Sequence, residues 1–126
     1  MLASLGLASL TLRAGLRLRS ARRRGARLPG NDYRRHLKLA KPTLAMLLVG
    51  FAGGPLSAVW LRGFEPFHTA HAAAGLLALA LFVATGIQGW RLEHGRSRAA
   101  EPHGILALFS VLAAATAFAT GFVLLP

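Results

Sequence analysis

The chain has no cysteine, so it has no disulfide framework, no thiolate metal site and no thioether-linked c-type haem. Any haem would be held noncovalently. Acid is scarce: Asp32, Glu65, Glu93 and Glu101 are the four acidic residues, and all fall outside the long uncharged runs. A carboxylate inside a span, the usual mark of a proton-coupled transporter, is therefore lacking. Also lacking are a nucleophile–base–acid constellation and a phosphate-binding glycine loop. Stacking aromatics are not interleaved with the arginines, so the formal charge of +11 does not read as a nucleic-acid surface.

What is present is apolar. With 54% hydrophobic and 15% charged residues in 126, the composition exceeds ordinary globular usage and describes one small integral membrane domain, residues 1–126. The run from Phe67 to Trp90 carries no formal charge over 24 residues. At about 1.5 Å rise per residue it is long enough to cross the ~30 Å hydrocarbon layer. His68 and His71 stand at its start, and an imidazole at the edge of such a helix is by default a candidate functional group.

Three other segments complete the layout. Met1–Leu12 is apolar but shorter than the ~20 residues of a span. Its charges follow it, unlike those of a secretory signal, and it reads as the inner part of a short or truncated first helix, with an organelle transit peptide as the alternative. The segment Arg13–Lys41 holds nine arginines and two lysines against Asp32 and is expected to be a solvated, headgroup-facing loop with a turn at Leu28–Asp32. Pro42–Leu61 is a second uncharged run, with a kink expected at Gly53, Gly54 and Pro55. His103–Pro126 is the last.

The expected fold is all-α: an up-down bundle of three full transmembrane helices (about 32–61, 67–91 and 102–126) plus a partial N-terminal fourth (about 1–22). By the positive-inside rule the basic loops face the cytoplasm of a bacterial inner membrane, the connection Arg62–Pro66 faces outward, and the C-terminus is outside.

This layout sorts the histidines by depth. His36 and His103 open the second and fourth helices at the inner surface, while His68 and His71 open the third at the outer surface. About 30 Å separates the two sets, so His71 and His103 cannot share one metal ion. His36 and His103 lie on alternate helices, diagonal neighbours in a four-helix bundle, and can face one core site. Small residues accompany them: Gly75, Ala78 and Gly89 follow His71 at helical spacing beside Phe82 and Thr85, and Gly104 follows His103. Such a stripe leaves room for a flat macrocycle, and it is equally how membrane helices pack together. His94, beside Glu93, reads as a surface residue, and His68 as a weaker ligand than His71.

The segments RHLKLAKP, GFAGGPLSAVWLRG, HAAAG, EPH and the terminal GFVLLP resemble the bacterial membrane family called domain of unknown function 4079, similar in layout to the cytochrome b561 superfamily. The resemblance covers the chain from about Arg34 onward. It implies four helices, one or two b-type haems, His36 with His103 as an inner pair and His71 as one ligand of an outer pair. Members begin with a full first helix bearing a histidine near its outer end, and Met1–Leu12 contains none, which leaves His71 without a histidine partner. The function expected is one-electron transfer at or across the membrane, rather than an enzyme acting on its own substrate. The alternative is a haem-free structural or assembly subunit of a larger membrane complex. The expected partners are the lipid bilayer, a larger complex or a second copy, and an unidentified redox protein, with no nucleic acid.

Overall fold

Every described residue outside the short connections is helical in the computed structural model, which describes residues 2–26, 30–63 and 69–123. The helices are α1 (Leu2–Arg23), α2 (Gly30–Arg62), α3 (Ala70–Glu93) and α4 (Ala100–Val123). Gly30–Leu61, Ala70–Glu93 and Ala100–Val123 are each long and apolar enough to cross a membrane. The chain is a multi-pass membrane protein. In keeping with a lipid surround, side chains such as Val49, Leu77, Ile87, Phe109 and Leu112 lie exposed on the bundle's outside.

The helices reach the expected bounds near 22 and 32, so the solvated loop expected for Arg13–Lys41 is confined to the few residues between them. Arginine is a good helix former, and its stem can lie along apolar surface while the guanidinium reaches water. Helix α1 therefore continues to Arg23 and α2 already begins at Gly30. Leu28 and Pro29 of the expected turn, like His68, Glu65 and the terminal residues Met1 and Pro126, lie outside the described residues. Helix α2 runs as one element of 33 residues through both Pro42 and Pro55, about 50 Å at standard rise.

Each helix packs on its sequence neighbour, α1 also packs on α4, and the backbones of the diagonal pairs α1/α3 and α2/α4 stay apart. The result is a four-cornered up-down bundle. Its small core contains Ala8, Leu47, Ala78, Phe82 and Ala114. Helices α2 and α3 meet through Phe51 and Phe82, with ring centres 6.3 Å apart, and through Leu44, whose Cδ2 lies 2.6 Å from where a Gly86 β-carbon would stand.

The bundle is two copies of one hairpin. In α1–α2, Thr11 Oγ1 shares a hydrogen bond with Thr43 Oγ1 at 3.0 Å. In α3–α4, Thr85 Oγ1 does the same with Ser110 Oγ at 2.9 Å. Each of these hydroxyls also lies within reach of the carbonyl four residues earlier on its own helix, so in each pair one hydroxyl donates across the hairpin and the other donates to its own helix. The core follows the same correspondence: Ala8 and Phe82 both stand three residues before the first threonine, and Leu47 and Ala114 four residues after the second hydroxyl residue. Both hairpins also leave their first helix alike. Gly25 and Gly95, each with φ of 67°, take the left-handed position that glycine adopts without strain. Beyond each glycine a backbone N–H reaches five residues back, from Ala26 to Ala21 and from Arg96 to Arg91.

Candidate functional site

The repeat brings two histidines to the bundle centre at its arginine-rich end. His36 stands seven residues before Thr43, and His103 stands seven before Ser110. Their rings meet across the α2/α4 diagonal with centres 6.4 Å apart and planes at 82°. Both rings are partly buried.

Each ring lies against a glycine on the neighbouring helix of its hairpin. A β-carbon on Gly15 would stand 3.3 Å from Cε1 of His36, and one on Gly89 would stand 3.1 Å from Cε1 of His103. The position has a backbone cause. In a helix the carbonyl of residue i points toward residue i+4, and the Cα–Cβ bond at i+4 leans back toward the N-terminus over that oxygen. Glycine at i+4 uncovers the carbonyl and lets an imidazole approach it. The carbonyls concerned are those of Thr11, four before Gly15, and Thr85, four before Gly89. Each lies beside its ring without being aligned into a hydrogen bond on Nδ1.

His71 shows the same arrangement completed. Its Nδ1 is 2.8 Å from the Ala117 carbonyl, and a β-carbon on Gly121, four residues further, would stand 2.8 Å from that nitrogen. Because a carbonyl only accepts, Nδ1 donates and carries the proton, leaving Nε2 as the basic nitrogen. His71 stands at the opposite end of the bundle from the pair, against the last turns of α4.

Three buried side-chain nitrogens lack a hydrogen-bond partner among the described residues: Nδ1 of His36, Nδ1 of His103 and Nε of Arg19. All three stand in one place. Arg19 lies one turn beyond Gly15 on α1, and its Cδ is 3.7 Å from where a β-carbon on Gly104 would stand, beside His103. Its guanidinium is 3.7 Å from Glu101, which Arg23 already holds at 2.6 Å. Buried polar groups are nearly always paired, so orphans concentrated at one point call for an explanation.

The remaining candidates are placed less centrally. His94 caps α3, with Nδ1 2.9 Å from the Trp90 carbonyl, its ring against Trp90 and the Arg96 guanidinium over the indole. It is a surface capping residue. Gly75 lies one turn from His71, and a β-carbon there would meet nothing within 4 Å. A β-carbon on Gly104 would stand in ordinary contact with Arg19, 3.7 Å from its Cδ. Of the stripe after His71, Ala78 and Phe82 enter the core, Thr85 bonds Ser110 and Gly89 meets His103. Sequence reasoning missed Gly15, Gly121, Arg19 and the paired hydroxyls. The available signal was the repeated spacing, Thr-x3-Gly before a histidine that is followed seven residues later by Thr or Ser.

No family model, curated protein or solved structure matches this chain. Among the described residues no group of three or more His, Cys, Asp or Glu side chains is arranged to hold a metal ion.

Proposed function

We propose that the chain is a b-type haem protein of the bacterial inner membrane, of cytochrome b561-like layout, that carries single electrons at or across the membrane, with His36 and His103 as the two axial ligands. The observation that carries this reading is the meeting of the His36 and His103 rings across the bundle, with centres 6.4 Å apart and each ring against a glycine of the neighbouring helix. A haem needs only two protein ligands, since the macrocycle supplies the others, so the absence of a larger ligand cluster among the described residues does not weigh against it.

The separation of the rings supports the assignment. With metal–nitrogen bonds of about 2.0–2.1 Å and roughly 1.2 Å from nitrogen to ring centre, two imidazoles on opposite sides of one metal have centres about 6.4–6.6 Å apart. The observed 6.4 Å matches. Glycines at 15 and 89 let each ring seat against the neighbouring helix of its hairpin, which holds both imidazoles in place. Each Nδ1 has a backbone carbonyl beside it, the partner that fixes the orientation of a ligating histidine. Arg19, half-buried on α1 and 3.7 Å from Glu101, brings a positive charge to the same end of the bundle. Bound haem would supply a one-electron couple, and two imidazole ligands leave no open iron position for oxygen chemistry.

The lysine and arginine bias puts the His36–His103 end on the cytoplasmic side and the C-terminus outside. His71, with Nε2 basic, is the ligand at the outer end, where a second haem would need an axial group from another subunit. A potentiometric titration of the purified protein tests the function: an absorption change following a one-electron curve supports it. A protein without visible absorption bands when expressed with haem available would favour the alternative, a haem-free assembly subunit.

A further inference from the structure

Away from the histidine pair, a cavity of about 280 Å³ opens between α1 and α2 at the basic end of the bundle. Its wall changes character along its length. Arg13, Arg17, Asp32 and Arg35 form one part, and Leu10, Ala14 and Leu39 form the other. Helix α1 runs toward the basic turn and α2 runs away from it. Leu10 and Leu39 therefore lie on the side of the membrane interior, and Arg17, Asp32 and Arg35 on the side of the water.

The arginines are exposed, and among the described residues none of Arg13, Arg17 and Arg35 takes part in an ion pair, whereas Arg19, Arg23 and Lys41 do. Three guanidiniums against one carboxylate leave the cavity positive. Guanidinium matches phosphate oxygens in pairs of hydrogen bonds, which lysine cannot do. Basic pockets between transmembrane helices on the cytoplasmic side are suited to anionic headgroups.

We infer that this cavity is a binding site for an anionic phospholipid, its phosphate held by Arg13, Arg17 and Arg35 and the start of an acyl chain lying against Leu10 and Leu39. A soluble phosphate would satisfy the arginines and leave the apolar half of the cavity in water. A phospholipid satisfies both halves at the depth where its headgroup already sits. The site is separate from the histidine pair and does not depend on whether haem is bound.

The test uses the full chain in a neutral detergent, with lipid retention counted by native mass spectrometry. Phosphatidylglycerol is the probe, with phosphatidylcholine and inorganic phosphate as comparisons. One phosphatidylglycerol retained per chain in preference to phosphatidylcholine, and not displaced by inorganic phosphate, is the expected result. Each of Arg13→Gln, Arg17→Gln and Arg35→Gln should weaken retention roughly fivefold, and Asp32→Asn should strengthen it. The variant with Arg22→Gln, Arg24→Gln and Arg34→Gln loses three charges, more than any of these single changes, from the same end of the bundle and should retain the lipid. Thermal unfolding without added lipid confirms that the variants are folded. Equal retention of the two lipids, displacement by inorganic phosphate, or an equal loss in the Arg22/Arg24/Arg34 variant would each overturn the inference.

Discussion

Cε1 of His71 lies 2.7 Å from the point where a β-carbon on Gly121 would stand, and its Nδ1 is held at 2.8 Å by the carbonyl of Ala117, one turn earlier on the same helix. The glycine and the hydrogen bond are one device, since a methyl group there would occupy the space the imidazole uses to reach the oxygen. Gly121→Ala should therefore displace the ring and cost about 1–3 kcal/mol, the usual range for overpacking. Unfolding of the purified variant in detergent measures it, and a variant as stable as the parent would show that the ring has somewhere else to go.

At the other end, Gly15→Ala and Gly89→Ala place a methyl 3.3 and 3.1 Å from the rings of His36 and His103. These contacts are tight rather than impossible, so the expected outcome is a folded protein with a weakened cofactor site, Gly89→Ala the more affected. Gly75→Ala is the control, because a β-carbon there meets nothing within 4 Å. Haem retained per chain after purification compares the three, and a loss in Gly75→Ala equal to that in Gly89→Ala would contradict the geometry.

The paired hydroxyls link the helices of each hairpin below the histidines. A double-mutant cycle on Thr85→Val and Ser110→Ala should give a coupling of about 0.6 kcal/mol, the average for interhelical hydrogen bonds in a membrane. A cycle on Thr11→Val and Thr43→Val should give a similar value if the two hairpins are equivalent. Coupling in one hairpin and none in the other would break the repeat energetically.

Orientation is tested separately. A reporter that is active only in the cytoplasm, fused after Pro126, should be silent, because the lysine and arginine bias directs the arginine-rich end inward. Activity of that fusion would reverse the assignment of both ends.

The three long helices were legible because an uncharged run of about 20 residues can be read by length alone. The meeting of His36 and His103 was legible for a related reason: depth and alternate position in an up-down bundle left them one common place. The glycine contacts were not legible, because the order of residues gives the depth of Gly15, Gly89 and Gly121 but not the rotation that turns them toward an imidazole. The repeat was hidden by its closed end. Positions 15 and 36 are 21 apart and positions 89 and 103 are 14 apart, so the hairpins fall out of register as the chain passes through the turn. The helix bounds near 22 and 32 were legible too, whereas the loop expected over Arg13–Lys41 shrinks to the few residues between α1 and α2, because an arginine-bearing helix can stay folded where it leaves the lipid.

The most direct measurement is the visible absorption spectrum and haem content of the purified chain beside His36→Ala and His103→Ala, with thermal unfolding to confirm that each variant is folded. The expected parent is a low-spin, six-coordinate spectrum with one haem per chain, and each substitution abolishes that spectrum. A folded His36→Ala or His103→Ala variant that keeps the parent spectrum, or a parent that takes up no haem, would contradict the assignment of this pair.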